Sequence, residues 1–194
     1  MTYNRGMRAG YLEVIAGPMF SGKTEELIRR LKRAAIGKKK VQVFKHSIDT
    51  RYGTEKKLFS HNGMSFGSEV VKDPKEILDR IDKNTEIVGI DEAQWFGDEL
   101  IDTVNHLLKG HKKVIVSGLA MTFDRQPFAP MPTLMALADS VTKLSAICTI
   151  CGDDAVFHKR LTKSKTVDSS VADPSLVGKF DAYEARCRKC YNKA

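Results

Sequence analysis

The eight residues from Gly17 to Thr24 have types and a spacing that suit phosphate binding. Their sequence is Gly-Pro-Met-Phe-Ser-Gly-Lys-Thr, which matches the P-loop pattern G-x-x-x-x-G-K-[ST] at every fixed position. Gly17 and Gly22 permit a loop whose backbone amides converge on an anion, and a helix that starts behind the loop adds its positive dipole end. Lys23 would reach the β- and γ-phosphates, and the Thr24 hydroxyl would ligate Mg²⁺. The segment predicts a site for a nucleoside triphosphate with Mg²⁺.

Two adjacent carboxylates, Asp91 and Glu92, follow the apolar or small residues 87–90. This pattern places Asp91 at the end of a buried strand, where it would supply the second protein ligand of Mg²⁺. Glu92 has two interpretations. It accepts a proton from an attacking hydroxyl or water, or it caps the helix that follows.

Four cysteines form two C-x-x-C pairs, Cys148/Cys151 and Cys187/Cys190, with 35 residues between the pairs. Two such pairs can surround Zn²⁺ as a tetrahedron of thiolates. The metal would close the loop from Gly152 to Arg186. A thiol–disulfide role is the alternative, but C-x-x-C motifs of that type lie near the start of a βαβ unit.

These residues need elements to position them, and the apolar pattern predicts strands alternating with helices. The predicted strands are 11–16, 41–44, 86–90, 113–117 and 141–147. The predicted helices are 24–35, 97–108 and 133–138, with another starting at Asp73-Pro74. The polar stretch 46–68 is predicted to be a loop or lid with short strands. The expected fold class is α/β, a P-loop NTPase-like, mostly parallel sheet flanked by helices, with a nucleotide-binding domain over 1–147 and a small zinc-binding domain over 148–194.

Composition limits the class of protein. The chain has 194 residues, 42% of them hydrophobic, and a formal net charge of +8. It contains no apolar run of about 18 residues and no apolar N-terminal signal, so we expect a cytoplasmic protein without a membrane partner. The densest basic segment, Arg29 to Lys40, is predicted to be a solvated helix face and the loop after it. The positive charge also permits an alternative, a P-loop ATPase with a zinc ribbon that acts on nucleic acid. However, the basic residues are not gathered beside the cysteines with interleaved aromatics.

Several segments taken together resemble the type II thymidine kinases, in their bacterial form. The resemblance extends from about Leu12 to Tyr191. It is carried by segments 17–24, Asp49-Thr-Arg-Tyr52, Ser60-His-Asn-Gly63, Asp91-Glu-Ala-Gln-Trp-Phe96, Pro127-Phe128 and Tyr183-x-x-x-Cys187-x-x-Cys190.

The resemblance implies transfer of the γ-phosphate of ATP to the 5′-hydroxyl of thymidine in pyrimidine salvage, with Glu92 as the catalytic base. Asp91 matches the Mg²⁺ carboxylate, Arg51 a phosphate-contacting arginine, and Asp49 its neighbour near the metal. The positions that the resemblance assigns to ATP and Mg²⁺ are Gly17, Met19, Ser21, Gly22, Lys23, Thr24, Asp49, Arg51, Asp91 and Gln94.

The resemblance also implies a thymidine site, which a zinc-held lasso segment completes. The expected substrate-binding residues are Met19, Trp95, Leu119, Phe123, Phe128, His158, Leu176, Val177, Gly178 and Tyr183. The four cysteines match the family's structural zinc site. Feedback inhibition by dTTP, a homotetramer and no specific nucleic-acid partner are further expectations. His158 stands where relatives often have Thr, and an imidazole titrates near neutral pH, so selectivity between thymidine and deoxyuridine stays open. A kinase for another nucleoside or for a nucleotide is the remaining alternative.

Overall fold

The computed structural model describes residues 9–48, 57–59, 65–161 and 182–192. Its centre is a six-stranded sheet in which all the paired strands are parallel, in the order β5–β2–β6–β7–β1–β8. The strands of this sheet are β1 (Tyr11–Ala16), β2 (Val41–His46), β5 (Glu69–Val71), β6 (Ile87–Asp91), β7 (Lys113–Gly118) and β8 (Ser140–Lys143). The α/β class and the mostly parallel sheet predicted from the sequence are confirmed.

Helices cover both faces of the sheet, because its inner strands are apolar on both sides. The helices are α1 (Lys23–Ile36), α2 (Lys75–Arg80), α3 (Glu99–Lys109) and α4 (Met131–Leu137). On one face, Leu27, Ile28 and Leu31 of α1 pack against Ile15 and Val43. A larger cluster on the other face contains residues of α2, α3 and α4. None of the described helices is long and apolar enough to cross a lipid bilayer.

The strand order separates the P-loop strand from the strand that ends in Asp91. Strand β7 pairs with both β1 and β6, so it lies between them. One strand, β7, therefore separates the strand that ends in Asp91 from β1, which leads into the P-loop. Helix α1 crosses this face of the sheet and brings its first turn close to Asp91.

The predicted strand 141–147 consists of two strands in different parts of the fold. Strand β8 ends at Lys143, and the Leu144 amide still donates to Ala16 of the main sheet. Strand β9 (Ala146–Ile147) pairs instead with β10 (Asp154–Ala155). The chain leaves the sheet because Ala146 is buried among the cysteines of the C-terminal region.

We call residues 146–161 and 182–192 the cysteine lobe. It holds the β9–β10 hairpin and the antiparallel pair β11 (Phe157–Arg160) and β12 (Tyr183–Arg186). Its buried cluster contains only alanine and cysteine residues. Such a core buries little apolar area, so a lobe of this kind needs a further cross-link such as a metal. A third antiparallel pair is formed by β3 (Lys57–Phe59) and β4 (Ser65–Gly67), within the predicted lid region.

Candidate active site

The loop between β1 and α1 is closely packed. A Cβ atom at Gly17 would lie 2.6 Å from the Ser21 hydroxyl oxygen and 2.9 Å from the Leu144 carbonyl oxygen, so a side chain has no room there. Gly22 has a φ of +77° immediately before the helix, a conformation that glycine adopts without strain. Ser21 donates a hydrogen bond of 2.9 Å to the Pro18 carbonyl. These constraints produce a tight turn at the N-terminus of α1, where an anion is favoured.

Lys23 lies over this loop and is nearly buried. Its ammonium donates a hydrogen bond of 2.7 Å to the Pro18 carbonyl, and 9% of the residue is exposed. A cation held across the loop opening is suited to phosphate oxygens, which are stronger acceptors than a peptide carbonyl.

Thr24 and Asp91 meet directly despite the strand between them. The Thr24 hydroxyl donates a hydrogen bond of 3.0 Å to Asp91 Oδ2. Asp91 is 2% exposed and is the last residue of β6. A hydroxyl and a carboxylate at this separation are a pair of hard oxygen ligands for Mg²⁺, so the residues fit the predicted metal.

Glu92 has a strained backbone and does not act as a helix cap. Its φ is +53° and its ψ is +42°, in the left-handed region, and its side chain makes no capping hydrogen bond to the short 3₁₀ turn 93–95. A non-glycine residue in that region costs on the order of 1–3 kcal/mol. The turn instead keeps a carboxylate that is 8% exposed immediately beside Asp91. Strain of this kind is common where a side chain has to be aimed.

Gln94 holds the Glu92 carboxylate in place. Its Nε2 donates a hydrogen bond of 2.6 Å to Glu92 Oε2, and its Oε1 accepts one of 2.9 Å from the Leu119 amide. A Cβ atom at Gly118 would lie 2.8 Å from Gln94 Oε1, so the glycine makes room for this amide group. The contacts connect the end of β6 to the end of β7. The sequence placed Gln94 in the nucleotide site by resemblance and did not predict this link.

Trp95, in the 3₁₀ turn that follows Glu92, contacts an aromatic residue of the loop 119–128. The Trp95 and Phe128 rings meet edge to face with centroids 5.9 Å apart. The Phe123 carbonyl accepts a hydrogen bond from the Tyr191 hydroxyl, and the Arg160 guanidinium lies 5.7 Å from the centroid of the Phe123 ring. The loop 119–128 is thereby joined to the cysteine lobe.

His158 brings the cysteine lobe close to the P-loop. It is 5% exposed on β11, and its ring meets that of Tyr183 edge to face at 5.9 Å. Burial, together with repulsion from the nearby Lys23 ammonium, lowers the pKa of His158 to about 3. The imidazole is therefore neutral at neutral pH, although the sequence alone suggested a group that titrates there.

The four cysteine sulfurs form one cluster. All four Sγ atoms lie within 4.8 Å of one another, and those of Cys151 and Cys187 are 3.6 Å apart. A tetrahedral site with Zn–S bonds of about 2.3 Å has sulfurs roughly 3.8 Å apart, so the cluster fits zinc. Burial opposes ionisation of Cys148, but hydrogen bonds from the backbone of Cys187, Ile150 and Cys151 lower its pKa to about 6. Four thiolates this close need a cation between them.

Not all predicted site residues can be placed. Asp49, Arg51, Leu176, Val177 and Gly178 lie outside the described residues, and Met19 is partly exposed in the P-loop.

Arg125 and Tyr191, which were not predicted from the sequence, also lie at this junction. The Arg125 guanidinium lies 4.6 Å from the centroid of the Tyr191 ring. The pair ties loop 119–128 to the lobe. Neither residue belongs to a motif, so the sequence carried no signal for them.

The fold and the site define a class. A P-loop on a parallel sheet, a hydroxyl–carboxylate pair for Mg²⁺ and an adjacent buried carboxylate are the parts of an enzyme that transfers a phosphoryl group from a nucleoside triphosphate. A protein-family model described as thymidine kinase matches residues 10–191. A thymidine kinase of Coprothermobacter proteolyticus is 51% identical over 179 residues, which cover 92% of this chain and 88% of that protein. The chain belongs to the thymidine kinase family, as its resemblance to the bacterial type II form predicted. It is an enzyme that phosphorylates thymidine with ATP, and the nucleic-acid ATPase alternative is not favoured.

Proposed function

We propose that this chain transfers the γ-phosphate of ATP to the 5′-hydroxyl of thymidine with Glu92 as the base, and gives dTMP and ADP. The observation that carries this mechanism is the juxtaposition of Thr24, Asp91 and Glu92. The Thr24 hydroxyl is 3.0 Å from Asp91 Oδ2, and Glu92 is next in the chain and fixed by Gln94 at 2.6 Å. A phosphate site and a proton acceptor are thereby adjacent.

The P-loop amides and Lys23 would bind the triphosphate, with Gly17, Met19, Ser21 and Gly22 forming the loop. Thr24 and Asp91 would hold Mg²⁺, which when bound neutralises charge on the β- and γ-phosphate oxygens. Lys23 would exchange its hydrogen bond with Pro18 for one to a phosphate oxygen, which is the stronger acceptor. By resemblance, Asp49 and Arg51 complete this site.

Glu92 would accept the proton of the 5′-hydroxyl as that oxygen bonds to the γ-phosphorus and the bond to the β-phosphate oxygen breaks. Gln94 supports this role because its amide holds the Glu92 carboxylate in a fixed orientation through Oε2. The burial of Glu92 supports transfer over hydrolysis, because water has little access to a base that is 8% exposed.

The acceptor site is proposed to lie between the aromatic residues of 95–128 and the cysteine lobe. The thymine ring would be surrounded by Trp95, Leu119, Phe123 and Phe128, with Met19 beside them. His158 on β11 and Tyr183 on β12 would line the site on the side of the cysteine lobe. The resemblance adds Leu176, Val177 and Gly178 to the expected substrate-binding residues. His158 is neutral because a buried imidazolium beside Lys23 would be strongly disfavoured. A neutral side chain at this position is compatible with an uncharged nucleoside. Deoxyuridine is a further candidate substrate, since it lacks only one methyl group.

Zinc is proposed to have a structural role. Four cysteine ligands leave no open coordination position for chemistry. The small alanine and cysteine core of the lobe supports this role, because metal binding would supply the stability that burial cannot.

A homotetramer and feedback inhibition by dTTP are further proposals that rest on the resemblance. The division into domains 1–147 and 148–194, a cytoplasmic location and the lack of a nucleic-acid partner are proposals that rest on the pattern of the sequence. Size measurement with and without ATP, and dTTP inhibition kinetics, would test two of them.

The proposed activity is tested by incubating the purified protein with Mg-ATP and each of the natural nucleosides and deoxynucleosides. We expect 5′-dTMP and ADP in equal amounts with thymidine, and slower or no reaction with purine nucleosides. Formation of ADP without a nucleoside monophosphate, or faster phosphorylation of another nucleoside, would contradict the proposal.

A further inference from the structure

A lysine is buried at the carboxyl end of β2. Lys45 is 2% exposed, although lysine is almost never fully buried unless its charge is paired. No motif includes Lys45, and the mechanism above does not use it.

The neighbours of Lys45 along β2 establish which face of the sheet it occupies. Phe44 belongs to the cluster on the α3 face. The ring of His46 contacts that of Phe96, also in that cluster, at 4.8 Å. Val43 packs with α1 on the opposite face. Because side chains alternate along a strand, Lys45 lies on the α1 face, the same face as the P-loop helix.

The strand register places Lys45 beside the metal carboxylate. Lys45 is the Cα partner of Asp91, and Val43 is the partner of Gly89. A Cβ atom at Gly89 would lie 3.1 Å from the Leu31 side chain of α1, so Asp91, two residues on, also faces α1. Lys45 is therefore one strand from Asp91, at the usual spacing of about 4.8 Å.

In the part of the chain that the structure describes, Lys45 forms no ion pair with a carboxylate, although Asp91 is its partner on the neighbouring strand. A buried charge without a partner is strongly unfavourable. An anion that arrives with a ligand would remove this cost, and the adjacent residue Asp91 marks where a nucleotide's terminal phosphate and its metal would lie.

A second polar group on the other side of Asp91 also lacks a partner. The Ser117 hydroxyl is buried and makes no hydrogen bond with the described residues. Ser117 follows Val116, the partner of Ile90, so it lies on β7 next to Asp91. The polar row Lys45–Asp91–Ser117 thus crosses three strand ends under the start of α1, in a place where a purely structural core would be apolar.

We propose that the Lys45 ammonium binds the γ-phosphate of ATP, as a second cation on the side of Asp91 away from Lys23. The strand order is the reason for choosing the γ-phosphate. Strand β2 lies beyond β6, three strands from the P-loop strand β1, whereas the P-loop cradles the α- and β-phosphates. This assignment rests on the proposed function of the site as an ATP-dependent kinase.

The test compares ATP with ADP, because only ATP carries the group that Lys45 is proposed to bind. The variant is Lys45→Met, which keeps the length and apolar stem of the side chain. Replacing a buried charge with an apolar residue is often neutral for stability. Calorimetry with Mg-ATP and Mg-ADP, without nucleoside, is expected to show ATP affinity lowered roughly ten- to hundredfold and ADP affinity changed less than about threefold. The matched control is Lys113→Met, at the amino end of β7, where Lys113 already pairs with Glu13 at 2.5 Å. It should leave both affinities unchanged.

Equal losses for ATP and ADP, or no loss for either, would overturn the proposal. Lys45→Arg keeps the charge and should retain more of the preference for ATP over ADP than the Met variant. If Lys45→Met does not fold, Lys45→Gln is measured in its place and must lower ATP affinity selectively. A parent protein that binds ATP but does not phosphorylate thymidine would refute the proposed function. The comparison of ATP and ADP affinities would still decide whether Lys45 binds the γ-phosphate.

Discussion

The Thr24 hydroxyl donates a hydrogen bond of 3.0 Å to Asp91 Oδ2, although β7 separates the strands that precede these residues. Helix α1 makes this contact possible because its first turn crosses the ends of the intervening strand. The bond prearranges two oxygen atoms that would otherwise have to be brought together by the metal. It therefore predicts how the enzyme responds to loss of either group.

Replacing Thr24 with Val removes the hydroxyl and keeps the shape of the side chain. We expect the Mg²⁺ concentration for half-maximal activity to rise roughly tenfold or more, the scale seen when groups around a metal are removed. Thr24→Ser keeps the hydroxyl and should stay close to the parent. Steady-state rates over a range of free Mg²⁺ measure the effect, and overlapping Mg²⁺ curves for the Val and Ser variants would show that the hydroxyl has no role in metal binding.

Glu92→Gln removes the proposed proton acceptor with almost no change in volume. Transfer to thymidine should fall roughly 10²-fold or more, the usual contribution of a positioned base, and ATP affinity should change little. The control is Glu86→Gln, an exposed carboxylate whose partner is Lys39. Rapid-quench measurement of dTMP formation and calorimetry with ATP separate the two effects. Turnover near the parent rate would exclude Glu92 as the base.

The P-loop and the ends of the apolar strands were predictable because their signals are contiguous in the sequence. Gly17 to Thr24 form one uninterrupted motif, and the run before Asp91 ends where β6 ends. The four cysteines carry their own spacing, and their sulfurs come together as expected. In each case a local pattern determines the local structure, and the parallel sheet then brings the strand ends to one edge.

Other features depend on contacts between distant segments and left no local signal. Lys45 lies in an alternating strand, where a lysine normally predicts a solvent-facing position. Its burial and its pairing with Asp91 are visible only in the folded structure. The neutrality of His158 follows from its burial beside Lys23, which no pattern in the sequence reveals. Ser145 and Ala146 lie inside the predicted strand 141–147, whereas the turn into the cysteine lobe depends on the packing of Ala146 with Cys148 and Cys187.

The low pKa of His158 predicts a specific pH dependence of stability. The folded-state pKa is about 3, below the unfolded value of about 6.5. The unfolded chain therefore binds an extra proton between these values, and stability falls as pH decreases from about 6.5 towards 3. At pH 5 the loss from this group is about 2 kcal/mol. His158→Gln should abolish this component, whereas His106→Gln, at an exposed helix position, should leave it. Urea unfolding at pH 7.5 and pH 5 provides the comparison, and parallel pH slopes for parent and His158→Gln would contradict it.

Cys187→Ser should release zinc and loosen the cysteine lobe. Serine is a poor ligand for zinc, and the lobe's alanine and cysteine core is too small to hold its hairpins together. Metal analysis should give about one zinc per parent chain and a clear loss in the variant, with earlier proteolysis within the lobe. Asp153→Asn is the control, since Asp153 contacts the Cys151 sulfur at 3.4 Å without belonging to the four-sulfur set. A parent protein without zinc would refute the metal site.

His158→Thr tests whether the residue at this position sets the choice between thymidine and deoxyuridine. The two nucleosides differ by one methyl group, whose contacts in a pocket are worth roughly 10–200-fold in kcat/KM. The buried imidazole is bulkier than threonine and meets Tyr183 edge to face, so shortening it should change the space available to that methyl group. We expect the ratio of kcat/KM for thymidine to that for deoxyuridine to shift at least threefold or so, while KM for ATP stays near the parent value. His106→Thr, remote on α3, should leave the ratio unchanged. If both kcat/KM values for His158→Thr equalled those of the parent, position 158 would lie outside the base pocket, and Leu119 and Phe128 would become the next positions to test.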